Sequence, residues 1–296
     1  MIDLGVIIVS FNTKDLTLQC LSSIYHYKPK INFKIVVVDN NSLDGTVDAI
    51  LLKFPSVEVL RNSENLGFSK ANNQGLKTCQ AKYYLFLNSD TIIKNSIDGL
   101  IKSAETYNLD ILAPKLLNQD GSLQPNAGDL PYLLPLFFWL FGIDDFTRKL
   151  IPTPAFHRQD IDYYRDSELV GWVSGAAMLV GRQVIDKING FDGNIFMYGE
   201  DVDFCFRARK NNFKIGWTDQ VSIVHLGGKS SQRPKEVQWL GEFKGLLYFY
   251  KTHFGFLLMM VVKTLIILAT LLRVFVFAIL GKLEYAKTYA TILKRL

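Results

Sequence analysis

Cysteine is scarce in this chain. Cys20, Cys79 and Cys205 are widely spaced over 296 residues, odd in number and without a CxxC pair. That favours a reduced cytosolic compartment over a disulfide framework. No basic run is interleaved with aromatics, and a net charge of +5 is too small to argue for nucleic acid. The start, Met1-Ile2-Asp3-Leu4, has no basic n-region, so the apolar run after it reads as a strand rather than a signal peptide. Neither a GxGxxG fingerprint nor a P-loop is present, and no internal repeat is visible. Apolar residues, by contrast, are plentiful at 49%, with mean hydropathy +0.13, and much of the excess lies in the last fifty residues. A basic balance beside apolar segments fits an anionic membrane surface. The length allows one large domain or a domain with an appendage.

The first 115 residues alternate two patterns. Leu4–Ser10, Lys34–Asp39, Val57–Arg61, Tyr83–Leu87 and Leu109–Ala113 are short β-branched or aromatic runs; Lys14–Tyr27, Thr46–Phe54, Ser69–Thr78 and Asn95–Tyr107 have helical spacing. Such alternation predicts a parallel sheet covered on both faces. Each apolar run gives way to polar residues at its carboxyl end, where sheets of this kind bind ligands. A nucleotide-sized crevice is expected there. Further on, Gly171–Val180 reads as one strand, Asp201–Asn211 as a helix, and Phe213–Trp217 and Val221–His225 as two short strands. The apolar patch Leu130–Phe141 leaves a lid, a buried segment or an interfacial loop open, its prolines and length speaking against a membrane span.

Phe254–Gly281 is almost wholly apolar, broken by Lys263 and Arg273. Its uncharged pieces are each far below the ~20 residues of a simple spanning helix. On one helix the two basic residues lie within about 80° of each other. That favours helices lying in the interface with both basic side chains at the headgroups. Lys282, Lys287, Lys294 and Arg295 suit an anionic leaflet. Taken as one helix the segment is long enough to span, a central charge being expensive but not prohibitive, so a spanning helix stays open beside the interfacial one. A buried helical pair or an oligomer interface is the competing reading.

Chemistry is concentrated in two acidic motifs. Gly199-Glu200-Asp201-Val202-Asp203 places three carboxylates within four positions, as a base, a metal or a cationic partner would require; an acidic first turn of a helix is the simpler alternative. Asn88-Ser89-Asp90 sets a carboxylate at the tip of a buried strand, where an oxygen site for Mg²⁺ or Mn²⁺ on a diphosphate is one possibility and a turn residue another. Asp203 and Arg207, spaced i,i+4, suit an ion pair on one helix. Trp172 offers a stacking face for a sugar or a core side chain.

Taken in order, Val9-Ser10-Phe11-Asn12, Val38-Asp39-Asn40-Asn41-Ser42, Asn65-Leu66-Gly67-Phe68, Leu87-Asn88-Ser89-Asp90 and Gly199-Glu200-Asp201-Val202-Asp203-Phe204 resemble the family 2 glycosyltransferases, especially the rhamnosyltransferase-like branch. The resemblance covers roughly residues 4 to 230. It implies an α/β GT-A fold, Rossmann-like with a mostly parallel central sheet and flanking helices, followed by C-terminal membrane-associated helices. Residues 1–240 would form the catalytic domain, with a nucleotide-binding half of about 1–115 and an acceptor half of about 116–240. Residues 241–296 would form the membrane-associated segment.

Site roles follow from the same resemblance. Asp39 looks like the base-recognising aspartate, with Val9, Ser10 and Phe11 lining the nucleobase pocket and Asn65, Phe68, Asn73 and Ser89 on the nucleotide side. Asp90 matches the last aspartate of the DXD metal motif, reduced here to Asn-Ser-Asp with one carboxylate. His225 resembles the histidine that completes the metal site in some members, or is a structural histidine at a strand end. Asp201 matches the catalytic base; Glu200 competes for that role or binds acceptor hydroxyls. Asp203, Arg207 and Trp172 are assigned to the acceptor side. The implied partners are a nucleotide-diphospho-sugar donor, with dTDP-rhamnose first, a glycan or polyprenyl-linked acceptor, and the anionic cytoplasmic face of a membrane. Two rivals remain. A processive synthase would carry several spanning helices and a QxxRW segment, which Gln238-Trp239 does not match, and a non-catalytic sugar-binding scaffold would not need Asp201.

Overall fold

The computed structural model describes residues 2–147, 153–159, 163–164, 169–227 and 234–296. These fall into two compact units, one drawn from Met1–Gly128, His157–Phe196 and Glu200–Ser230, the other from Asp129–Phe156, Met197–Gly199 and Ser231–Leu296.

The first unit opens with the strand–helix alternation read above: β1 (Ile2–Ser10), α1 (Lys14–His26), β2 (Phe33–Asp39), α2 (Thr46–Lys53), β3 (Glu58–Arg61), α3 (Gly67–Thr78) and β4 (Ala81–Asn88). After it come β5 (Thr91–Ile93), α4 (Asp98–Tyr107) and β6 (Ile111–Leu117). One eight-stranded sheet runs β3-β2-β1-β4-β9-β6-β10-β5, with β9 (Ala177–Gly181) and β10 (Ile215–His225). Pairing is parallel along β3-β2-β1-β4 and between β6 and β10; β9 is antiparallel to both its neighbours and β5 to β10. The sheet is therefore mixed but mostly parallel. Strands covered by helices on both faces need apolar side chains on both, hence the unbroken runs Val6–Ile8 and Val36–Val38 in the core. Burial pushes the Cys20 thiol up to about 12 and raises Cys79 and Cys205 as well, so none is a ready nucleophile.

Two local expectations need correction, and two short elements are additions to the sequence reading. Gly171–Val180 is not one strand: β8 (Trp172–Val173) pairs with β7 (Ala127–Gly128) in a separate ribbon, and a turn at Ser174–Ala176 precedes β9. The two strands expected at 213–225 are a single β10, whose register slips between Thr218 and Ser222. β5 and the short α7 (Arg182–Ile188) carry too few residues to show a period. The acidic motif opens α8 (Glu200–Lys210) as expected.

The second unit is helical: α5 (Leu133–Phe141), α6 (Ile143–Thr147), α9 (Pro234–Phe254), α10 (Phe256–Ile279) and α11 (Leu283–Arg295). The Leu130–Phe141 patch thus becomes a helix, burying Leu136 and Leu140 and exposing Leu133, Leu134 and Phe137. Gly255, at φ +89°, interrupts the long apolar stretch and separates α9 from α10, a backbone conformation that favours glycine. α10 buries Val262, Ile266, Ala269 and Thr270, one stripe at helical spacing. Arg273 extends that stripe. Its guanidinium lies 6.0 Å from the Trp239 ring and 5.7 Å from the Tyr289 ring, and its Nη2 faces the Trp139 carbonyl at 3.5 Å. The sequence places Arg273 at the headgroups; the structure turns it into an aromatic cage, where ring faces and a carbonyl replace water.

Candidate functional site

The parallel strands end together. β1 pairs Ser10 with Asp39 of β2 on one side and Val9 with Asn88 of β4 on the other. Asp39 and Asn88 therefore flank the end of β1, about two strand spacings or ~10 Å apart. Phe11 stands exposed just beyond the strand, 43% accessible. The loops here are tied to one another. The Asn12 backbone N–H donates to Ser42 Oγ at 2.8 Å, and Asn12 Oδ1 accepts from the Leu43 N–H at 2.8 Å. Buried hydroxyls of Ser10, Thr13 and Thr17 share hydrogen bonds of 3.1 Å, and Thr13 continues the chain to Ser89 Oγ. This network joins the β1 loop to the β4 tip.

Asp39 is 2% exposed. Its Oδ1 accepts the Ser42 N–H at 2.9 Å, while Oδ2 is buried with no hydrogen-bond partner. Buried polar atoms normally have partners, so an exception at a strand tip marks a place where a ligand can donate. The neighbouring amides are fully engaged: Asn62 bonds both Asn40 and Gln74, and Asn40 Nδ2 donates to the Gly67 carbonyl.

At the β4 tip, Asp90 is buried and His225, closing β10, sets its Nε2 3.3 Å from Asp90 Oδ1. Among the described residues no three His, Cys, Asp or Glu side chains gather into a metal cluster. The protein thus offers one carboxylate oxygen and one imidazole nitrogen. The carboxylate oxygen is the hard donor that Mg²⁺ or Mn²⁺ prefers, with remaining ligands from phosphate and water, and the imidazole favours Mn²⁺, the softer of the two.

The turn at 174–176 connects this tip to α8. The Asn88 N–H donates to the Ala176 carbonyl at 2.9 Å, and the Gly175 N–H donates to Asp201 Oδ2 at 3.1 Å. Asp201 Oδ1 accepts the Val202 N–H at 2.8 Å. Two backbone donors fix the Asp201 carboxylate. A side chain at Gly175 would press on the Phe68 ring, 3.3 Å from a built Cβ, with Asp201 Cβ at 3.7 Å, so Phe68 and Asp201 are neighbours across this turn. Glu200 is buried beside it.

Other expected site residues have local duties. Asp203 is wholly buried and accepts from Arg207 Nε at 2.7 Å; Arg207 Nη1 donates to the Ile188 carbonyl ending α7. The i,i+4 pair therefore ties α8 to α7. Asn65 Oδ1 accepts the Gly67 N–H at 3.0 Å, starting α3. Asn73 is engaged differently from the nucleotide contact expected of it: its amide donates to the Phe191 carbonyl at 2.8 Å and accepts the Phe191 N–H at 2.9 Å. Trp172 is 5% exposed, its ring edge-on to His157 at 5.1 Å. Thr13, Gly175 and Gln124 (which bonds His225) escaped sequence reading, because their contacts join residues 26 to 101 positions apart.

Comparison with known proteins gives the family and the fold. The N-acetylglucosaminyl-diphospho-decaprenol L-rhamnosyltransferase of Mycobacterium tuberculosis (strain ATCC 25618 / H37Rv) is 27% identical over 212 residues, 67% of this chain and 68% of that protein. Rhamnosyltransferase WbbL of Escherichia coli (strain K12) is 25% identical over 236 residues, 74% of this chain and 82% of that protein. A crystal structure of GalNAc-T7 with UDP, GalNAc and Mn²⁺ matches with a TM-score of 0.59 at 15% identity, a likeness of fold. It covers 85% of this chain and 48% of that one, so the chain spans about half the length of that solved protein. Residues 5–159, just over half of the chain, match the family described as Glycosyl transferase family 2. The chain belongs to that family and is a glycosyltransferase with the GT-A fold.

Proposed function

We propose that this chain is an inverting glycosyltransferase that moves a sugar from a nucleotide-diphospho-sugar, dTDP-rhamnose first, to a lipid-linked or surface-glycan acceptor at the cytoplasmic face of a membrane. The observation that carries the reading is the unpartnered Asp39 carboxylate oxygen, flanking the end of β1 opposite the Asn88-Ser89-Asp90 tip. A pyrimidine imide N–H supplies the donor that Asp39 Oδ2 lacks, with Phe11 offering an exposed ring to the base. The M. tuberculosis and E. coli relatives, both rhamnosyltransferases by name, support the choice of sugar; the first is also named for a lipid-linked acceptor.

In this reading Asp201 takes the proton of the acceptor hydroxyl as that oxygen attacks the anomeric carbon. The new carbon–oxygen bond forms as the bond to the diphosphate breaks, and its electron pair leaves with the nucleoside diphosphate. A single displacement of this kind inverts the anomeric configuration. Asp90 and His225 would hold a divalent cation, whose chemistry is to neutralise charge on the departing diphosphate. The backbone donors on Asp201 keep its carboxylate aimed as it accepts the proton. Glu200 is assigned to acceptor hydroxyls.

Membrane attachment falls to the helical unit. α10 is, among the described residues, the one helix long and apolar enough to cross a membrane, and only 22% of its most apolar window is buried. Phe256, Leu257, Leu268, Phe275 and Ile279 face outward.

The test is transfer from a panel of dTDP- and UDP-sugars to a polyprenyl-diphospho-N-acetylglucosamine acceptor, with Asp201→Asn alongside. Loss of about 10²–10⁴-fold in turnover with nucleotide binding retained is expected. Unchanged turnover in Asp201→Asn rules out its role as base.

A further inference from the structure

We propose that Gln124 is the positioning residue that fixes the tautomer of His225, so that the Nε2 lone pair is presented beside Asp90 for a divalent cation. The inference rests on the metal reading of Asp90 and His225 given above and adds to it a residue that touches neither substrate nor metal.

The proton positions follow from two backbone carbonyls, which can only accept. Asn118 Nδ2 faces the Leu123 carbonyl at 3.4 Å and Ser122 Oγ at 2.9 Å, so this end of the Asn118 amide is its donor end. Asn118 Oδ1 therefore accepts, and Gln124 Nε2 donates to it at 3.0 Å. The same Gln124 nitrogen faces the His225 carbonyl at 3.3 Å. With both donor directions taken by acceptors, the Gln124 amide cannot be flipped without setting oxygen against oxygen. Its Oε1 must then face His225 Nδ1, and it does so at 2.7 Å. An oxygen at that distance requires the proton on Nδ1. In the neutral ring Nε2 is left bare.

The bare nitrogen points at Asp90 Oδ1, 3.3 Å away, with Asn88 Nδ2 facing it as a donor at 3.4 Å. Two lone-pair atoms held that close, with no hydrogen between them, repel each other. A cation shared by both reverses the sign. Histidines that ligate metals commonly donate their other ring N–H to a protein acceptor, which orients the ring and raises its basicity. Gln124 is itself braced. Its own N–H donates to the Leu116 carbonyl at 2.8 Å, and Asn118 closes the tight 118–122 turn by donating its backbone N–H to the Ser122 carbonyl at 2.8 Å. A ring held at one nitrogen by a fixed amide cannot rotate away from Asp90.

The test has one readout on the wild-type protein and one on variants. The chain has four histidines, so ¹⁵N imidazole spectra of the metal-free protein can be assigned by single substitutions. His225 is expected with its proton on Nδ1; a neutral ring protonated on Nε2 overturns the proposal. Mn²⁺ affinity is then measured by electron paramagnetic resonance with dTDP present. Gln124→Leu is expected to weaken Mn²⁺ binding about 10–100-fold while metal-free dTDP affinity and the melting temperature stay near wild type. If Gln124→Leu binds Mn²⁺ like wild type while His225→Ala does not, Gln124 is only a clip for its turn and the proposal fails. If His225→Ala also binds Mn²⁺ normally, the metal reading itself fails, a separate result.

Discussion

A buried carboxylate oxygen with no donor is unfavourable in the free protein, and Asp39 carries one at the end of β2. Binding and structural roles give opposite signs on substitution. Were Asp39 there to hold the loop through Ser42, Asp39→Asn would mainly cost stability. As a base-recognising acceptor, the same change removes an unsatisfied atom from the free protein and sets an amide donor against the imide N–H of the ligand. The expected outcome is a melting temperature equal to or above wild type and dTDP affinity reduced about 10–100-fold, equivalent to roughly 1–3 kcal/mol. Calorimetric titration beside a thermal melt reads both. A destabilised variant with unchanged affinity refutes the role.

Among elements, the N-terminus of α3 is set most tightly. Gly67 has φ +80°, and a built Cβ would lie 2.4 Å from the Phe196 carbonyl oxygen, the same oxygen that accepts the Phe68 N–H at 2.8 Å. Gly67→Ala therefore meets a left-handed backbone and a backbone clash together. A cost of about 2 kcal/mol is expected, read as a melting temperature several degrees lower; an unchanged melt would show that the 190–196 segment yields freely. Elements of this kind divide what sequence could show from what it could not. Strands β1 to β4 were legible because parallel strands buried on both faces read as apolar runs, and Ser10, Asp39 and Asn88 end them as polar punctuation. The turn at 174–176 was hidden because Ser, Gly and Ala continue the small, apolar texture of β8 and β9, yet its Gly175 N–H holds Asp201. Asn73 is placed on the nucleotide side by the family resemblance; its hydrogen-bond partner, Phe191, lies 118 positions away and leaves no local trace. Arg273 was misread for a similar reason. Periodicity gives its angle on α10 but cannot say that Trp139, Trp239 and Tyr289 converge on that angle.

For the whole molecule, the proposed membrane attachment raises the question of whether α10 would cross the bilayer or lie along it. Its 24 residues are long enough to cross, about 36 Å at the helical rise. However, α11 returns along α10, with Tyr285 and Tyr289 packed on Phe277 at 5.3 and 5.7 Å and Tyr289 beside Arg273. A spanning α10 would draw α11 into hydrocarbon with it. There the Lys287–Glu284 pair, whose side chains are 73% and 87% exposed, would have to enter at a cost of a few kcal/mol for each charge. An α10 lying in the interface avoids that cost. Its outward face, carrying Leu257, Leu268, Phe275 and Ile279, would enter the acyl boundary, with Arg273 held against the Trp239 and Tyr289 rings inside the unit rather than at a headgroup. Two measurements separate the cases. Aspartate at Leu257, Leu268 and Phe275 together is expected to abolish co-sedimentation with vesicles containing phosphatidylglycerol while leaving helix content unchanged. New cysteines at Thr252, in the last turn of α9, and Lys282, just beyond α10, flank α10 and report sidedness against a low background because the three native thiols are buried. In inside-out membrane vesicles from expressing cells, an impermeant maleimide is expected to label both positions without detergent. Labelling of one position only after detergent would mean that α10 spans, and that α11 leaves its place against it when the protein meets the membrane.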